Sequence, residues 1–306
     1  MDCAALKSRL ERLERMRSSG SYANALERVD QLLGDDRPSA LAIAPSFVLE
    51  DKVWGESTLT RIKAPHGSNA AFALLCLGAA QSGRLRQGRL LLPITPARKA
   101  SLPAWSTLVA ESKDEPLTVA GESAEEKRAK SARSALAALE RGQFISLPKA
   151  GTADRFSRVK LLGEPLLSGT PTSYYLPEHE EHPFDVPISF LTSGWIYALN
   201  HIEISLYLAL RHRRSATQSQ AFSFDHTPYA LSRRSRQQYK LLVAAGLLTV
   251  ERDPRRASSG QWRGYEPGQM ENTPQPDSYT LTDVGLEQDS LTTVLTALRE
   301  QMEAGC

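Results

Sequence analysis

Apolar residues recur at helical spacing at both ends of the chain. Near the N-terminus Leu6, Leu10, Leu13 and Met16 stand three or four residues apart, and after a break at Ser18 to Ser21 the stripe resumes with Ala25, Leu26, Val29, Leu32 and Leu33. This spacing predicts two short amphipathic helices. At the other end Leu291, Val294, Leu295, Leu298 and Met302 give an apolar face to a C-terminal helix.

The first half then reads as a succession of short elements. LAIAPSFVLED and STLTRIKA look extended and lead into a helix from about Ser68 to Gln81, capped by Ser68 or Asn69. RLRQGRLLLPITPARKASLPAW is expected to be a Pro-punctuated loop with embedded short helices. Residues 122 to 141, ESAEEKRAKSARSALAALER, are rich in helix formers, with Ser123 as cap, acids in the first turn and a stop at Gly142. QFISLPKAGTADRFSRVKLLGE reads as a hairpin with Lys149, Arg155 and Arg158 around its tip.

The second half repeats this grammar after a connection at 164 to 185 rich in Pro, Gly and Glu. A helix is expected from Asn200 to Arg213, with Ile204, Leu206, Leu208 and Leu210 facing the core and Ile202 and Tyr207 beside them. HTPYALSRRSRQQYKLLVAAGLLTVE predicts a turn of helix, a second helix capped at Ser232, a stop at Gly246 and a strand. A polar excursion from Arg252 to Asp277 precedes the strand SYTLTD.

Composition narrows the class. At 306 residues the chain is long enough for two domains, and 41% apolar with 24% charged residues is ordinary for a globular protein. No apolar run approaches the roughly 20 residues of a membrane span, and the N-terminus lacks a secretory apolar core, so cytoplasmic residence is expected. Cys3 and Cys306 sit at the termini and Cys76 lies in the apolar run AFALLCLGAA, which predicts a buried thiol and no disulfide framework.

Catalytic patterns find no support. His179 and His182 among the acids of PEHEEHPFD are flanked by Pro177 and Pro183 and read as a solvated linker; His66, His201, His212 and His226 have no partner at catalytic spacing. No phosphate-binding P-loop, dinucleotide turn or nucleophile elbow occurs. The expectation is a binding protein and not an enzyme, without cofactor or metal.

The formal net charge of +2 conceals a segregated distribution. From Leu199 to Gly264 eleven Lys and Arg face four acids, whereas from Tyr265 onward Arg299 stands alone against eight acids. A basic module is followed by an acidic tail.

The chain also repeats itself. Setting Gln143 against Gly246 aligns Phe144 and Ile145 with Leu247 and Leu248, Leu139 with Leu242, Leu136 with Tyr239, Lys130 with Arg233 and Arg133 with Arg236. The preceding helices, near Asn69 and Asn200, are offset by about 28 residues more, so the first unit would carry an insertion. Helix, short helix, basic helix, Gly stop and two-stranded wing resemble the winged-helix family, most specifically in SRRSRQQYKLLVAAGLLTVERD. The resemblance implies an α+β, mostly helical protein with two tandem winged-helix domains and helical N- and C-terminal extensions. The expected boundaries are an arm at 1–58, winged helices at 59–165 and 186–286 around a linker at 166–185, and a terminal helix at 287–306. Two winged helices in one chain also resemble the architecture of plasmid replication initiators, an analogy of fold that does not fix function.

The resemblance makes duplex DNA the expected partner, and residue chemistry agrees. Arg233, Arg236, Gln237 and Lys240 share one face of the second basic helix, where Arg can donate two hydrogen bonds to guanine and Gln can pair with adenine. Ser232 and Arg234 at its N-terminus suit phosphate contacts. The wing supplies Arg252, Arg255, Arg256 and Arg263 for the backbone or a narrow minor groove. In the first unit Lys127, Lys130, Ser131, Ser134 and Arg141 share a face with Arg128 and Arg133 at its flanks, and Lys149 and Arg155 sit on the hairpin; more phosphate contact and less base readout is expected there. A cationic face is often only a solvated one, but here few acids are interleaved. A dimeric transcriptional regulator and a protein-interaction scaffold share these residues as alternatives. The terminal helices are expected to mediate a homodimer, since two-fold DNA sites are commonly read by two-fold proteins.

Overall fold

The computed structural model describes residues 3–50, 55–63, 68–96, 102–110, 123–165, 171–174, 176–177, 182–224, 227–229, 231, 239–252 and 277–305. The protein is α+β and mostly helical, with small antiparallel sheets. The first part runs α1 (Cys3–Ser18), α2 (Ser21–Leu33), β1 (Ala40–Ile43), α3 (Thr58–Arg61), α4 (Asn69–Ala79), β2 (Leu85–Arg86), β3 (Arg89–Leu91), α5 (Ala124–Arg141), β4 (Ile145–Ser146), β5 (Arg158–Pro165) and β6 (Pro171–Ser173). The second continues β7 (Phe184–Pro187), α6 (Ser189–Thr192), α7 (Trp195–Ala198), α8 (His201–Thr217), β8 (Ala221–Ser223), α9 (Tyr239–Ala244), β9 (Leu248–Glu251), β10 (Ser278–Leu281) and α10 (Ser290–Gly305). Among the described residues no helix is long and apolar enough to cross a membrane.

Two stretches share one topology. α4, β3, a 3-10 turn at Trp105–Leu108, α5, β4 and β5 follow in the same order as α8, β8, a 3-10 turn at Thr227–Tyr229, α9, β9 and β10. In each the second strand after the helix is central: the orders are β3-β5-β4 and β8-β10-β9, with β2 extending the first beyond β3 and β6 also pairing with β5. The internal match extends to single hydrogen bonds. At the end of α5 the amides of Gly142, Gln143 and Phe144 bond to the carbonyls of Ala138, Glu140 and Leu139; at the end of α9 those of Ala245, Gly246 and Leu247 bond to Leu241, Val243 and Leu242. Both are Schellman closures, with a left-handed residue supplying the reversal. The alignment of Gln143 with Gly246 therefore describes equivalent places in the fold.

Burial explains why the two stretches hold together. Every residue of α4 from Asn69 to Ala79 is buried, which a helix apolar on all sides requires. α4 touches α2, α5, α7 and α8, and the buried apolar side chains form one cluster running from Leu6 to Leu298. β1 pairs with β7 in register from Ala40 opposite Pro187 to Ile43 opposite Phe184, tying the N-terminal arm to the chain after the connection. α1 packs along α10, with Arg299 on Glu14 at 2.7 Å. The stripe residues Leu6, Leu13, Met16, Leu291, Val294, Leu295 and Leu298 are buried within the chain. The apolar faces expected to mediate a homodimer are thus occupied intramolecularly.

Several local expectations are overturned. STLTRIKA is not extended: α3 forms because the Ser57 hydroxyl caps it, accepting from the Thr60 amide at 3.2 Å. Ser68 makes no side-chain cap on α4, and Asn69 donates to the Ile62 carbonyl at 2.7 Å instead. The segment read as a loop with embedded helices begins with the hairpin β2–β3, whose central Gln87 and Gly88 both have positive φ, 51° and 73°, the pattern of a type I′ turn. α8 continues beyond Arg213 to Thr217. Cys3 is disulfide-bonded, contrary to the expectation of none, while Cys76 is free and fully buried, its thiol pushed up by desolvation.

Candidate nucleic-acid interface

α5 is the most complete basic element among the described residues. Ser123 and Glu126 form a reciprocal capping box, and Glu126 is held below its usual carboxylate range by the Ser123 amide and hydroxyl. Ala129, Ala132, Ala135, Leu136, Ala138 and Leu139 are buried, against α4 and the Trp105–Leu108 turn. That docking leaves Lys130, Arg133, Ser134 and Arg141 exposed, with Lys127, Arg128 and Ser131 half-buried. The small alanines let the helix lie close to its neighbours, and the long cations reach outward from the other side.

The hairpin beside it carries two predicted cations with different fates. Lys149 is exposed at the turn. Arg155 instead folds back: its Nη2 donates to Glu140 of α5, its Nε donates to the Pro148 carbonyl at 2.9 Å, and its guanidinium lies 5.2 Å from the Phe156 ring centroid. Glu140 also accepts from the Leu147 amide at 3.3 Å. Glu140 and Arg155 therefore brace the hairpin against the end of α5, and Arg155 is a structural cation first.

In the second unit Lys240 is exposed on α9. Arg252, at the end of β9, donates to the Tyr239 hydroxyl and stands over the same ring at 5.7 Å. Ser232, Arg233, Arg234, Arg236 and Gln237, with Arg255, Arg256 and Arg263, lie outside the described residues. Other cations of the basic stretch are absorbed by the fold: Arg211 bonds the Asp185 carbonyl and Asp283, Arg214 reaches Asp283 and Gln220, and Arg213 bonds the Ser223 carbonyl. His201 is pushed down to about 4 by burial and by Lys63, so it is neutral at pH 7; His212 is lowered by burial and Arg213 while its Nδ1 lies 2.9 Å from the Tyr229 hydroxyl.

Sequence reasoning placed Arg158 at the hairpin tip and gave no site role to Arg86, Arg89 or Lys160; the first sheet gathers all four on its open side. The signal was the alternation of cation and apolar residue in RVKL and the mirrored Leu85-Arg86 and Arg89-Leu90 around the turn. No group of three or more possible metal ligands occurs among the described residues. Compared with known protein families, curated proteins and solved structures, the chain has no match.

Proposed function

We infer that the chain is a duplex DNA-binding protein made of two winged-helix units in tandem. The repeated topology carries this reading: helix, strand, turn, helix, strand, strand, with the final strand of that series flanked by the other two in both units and identical hydrogen-bonded closures after α5 and α9. Each unit then offers a helix followed by a two-stranded wing, and α5 turns a mainly cationic side outward, with Glu125 and Glu126 at its first turn. Such a helix fits a major groove about 12 Å wide, while cations on the wing follow phosphates. The second unit, richer in Arg and Gln through Arg233, Arg236 and Gln237, is the base reader. The first is the helper.

Two such units in one chain favour binding at iterated sites, as at a plasmid or mobile-element origin. The experiment is selection of bound fragments from plasmid and genomic DNA, followed by salt titration on the enriched sequence. Enrichment of repeated sites and a steep fall of affinity with salt are expected. Arg236→Ala and Gln237→Ala should relax sequence preference, and Arg255→Ala and Arg256→Ala should weaken all sites alike. Absence of any enriched sequence, or a flat salt dependence, overturns the reading.

A further inference from the structure

The register of the first sheet sets cations side by side. Arg86 pairs with Arg89 across the β2–β3 hairpin, Arg89 pairs with Lys160 of β5, and Lys160 pairs with Ser146 of β4. Residues paired across an antiparallel ladder project from the same face with Cβ atoms about 5 Å apart. The alternate row, Leu85, Leu90 and Val159, faces the core, with Leu90 and Val159 fully buried. The other side is therefore a polar row crossing four strands and cationic on three of them. Arg158, two residues along β5, adds a fourth charge beside Leu91, which is 47% exposed.

Among the described residues nothing neutralises this row. Arg86, Arg89 and Arg158 are exposed and Lys160 is half-buried, and none of the four makes an ion pair or side-chain hydrogen bond among the described residues. No acid stands at any paired position. Like charges directly opposite on a sheet repel and destabilise it, so three in succession are poorly suited to stability alone and well suited to a polyanion. Strands about 4.8 Å apart make the row from Arg86 to Lys160 roughly 10 Å long, which spans about three phosphates of one DNA strand at roughly 3.4 Å of axis each.

The geometry points to a second, sequence-independent phosphate track: the outer face of the first sheet binds the sugar-phosphate backbone of duplex DNA. It rests on the DNA-binding reading above and extends it from the wing strands β4 and β5 across the same sheet face to β3 and β2. The guanidinium forks of Arg86 and Arg89 match phosphate oxygens in pairs, and Lys160 acts as a point charge. The face carries no Asn or Gln at its paired positions, so it holds the duplex without reading it.

The test compares the full chain with the triple variant Arg86→Gln, Arg89→Gln, Lys160→Gln, using fluorescence anisotropy on a random 30-base-pair duplex and on the enriched sequence across a salt series. The variant should bind both duplexes more weakly by a common factor, roughly 100-fold at 0.1 M salt, and its salt slope should be shallower by about 2.7. Sequence preference should be unchanged. Circular dichroism should show a native helix signal, and each single substitution should give about a third of the slope change. Unchanged affinity and slope, with the wild type binding normally, overturns the track and leaves the DNA-binding reading intact. A wild type that binds no duplex at low salt overturns both. Triple-variant loss confined to RNA or to anionic lipid vesicles overturns duplex DNA as the occupant.

Discussion

Gln143 and Gly246 occupy equivalent positions one residue beyond the caps of α5 and α9, each in the left-handed region, at φ 56° and 69°. Glycine adopts this backbone freely, whereas an L side chain is strained there by about 1–2 kcal/mol. Gln143→Gly should therefore stabilise the protein by about 0.5–1 kcal/mol once the greater freedom of glycine in the unfolded chain is offset. A Cβ at Gly246 would meet no atom within 4 Å, so Gly246→Gln should lose about 1 kcal/mol from backbone strain alone. Urea denaturation midpoints measure both, and a Gln143→Gly variant less stable than the wild type contradicts the assignment.

Arg9 of α1 donates Nη1 and Nη2 to the two carboxylate oxygens of Glu203, both at 2.6 Å, and Nη2 also reaches the Ala198 carbonyl at 3.0 Å. Glu203 has no solvent exposure, and its Oε2 also accepts from the Asn200 amide at 2.8 Å to cap α8. Arg9→Ala leaves a buried carboxylate without its counter-ion, and a loss of about 3–5 kcal/mol is expected. Arg9→Lys keeps charge but not the fork, and should fall between. A loss below about 1 kcal/mol for Arg9→Ala would mean that Glu203 finds water or another donor.

Stability should fall on acidification. His201 is lowered to about 4 from 6.5 in the unfolded chain, and His212 is lowered as well. The unfolded chain therefore binds these protons first, so stability rises with pH between about 4 and 6.5 and is level above that. His201 contributes at most about 3 kcal/mol across the window. His201→Gln should flatten the pH dependence of the thermal midpoint; an unchanged slope shows that the proton is taken up elsewhere.

The cations of the first unit should divide into two kinds. Lys127→Gln and Arg133→Gln should lower affinity for all duplexes alike and reduce the salt slope by about 0.9 each, without moving the melting temperature. Arg155→Ala, which releases Glu140 and the hairpin, should destabilise by about 1–2 kcal/mol. An Arg155 variant of native stability that binds DNA poorly reverses this division.

Periodicity made the helices legible. Leu6 to Met16 and Leu291 to Leu298 bury the stripes their spacing requires, and the Gly142 and Gly246 stops with apolar residues beyond them located both closures. What escaped depends on partners far away in sequence. α3 is four residues long, and its β-branched Thr58 and Thr60 favour strand locally, so the Ser57 cap decides. The β2–β3 turn uses Gln87 where Asn or Gly is usual, which hides a type I′ hairpin. The cationic row exists only once β3 and β5 pair, some 70 residues apart. Arg155 was legible as a cation, but its tie to Glu140 was not.

The pairing of β1 with β7 has a consequence for synthesis. Ala40–Ile43 leaves the ribosome more than 140 residues ahead of Phe184–Pro187, an interval of roughly 7–30 s at about 5–20 residues per second. For that time Leu41 and Ile43, almost fully covered in the finished protein, sit on an open edge of the kind that recruits other strands. α1 waits longer still for α10. The nascent chain therefore carries an uncovered strand edge, open to pairing with other chains, until the strand that covers it arrives.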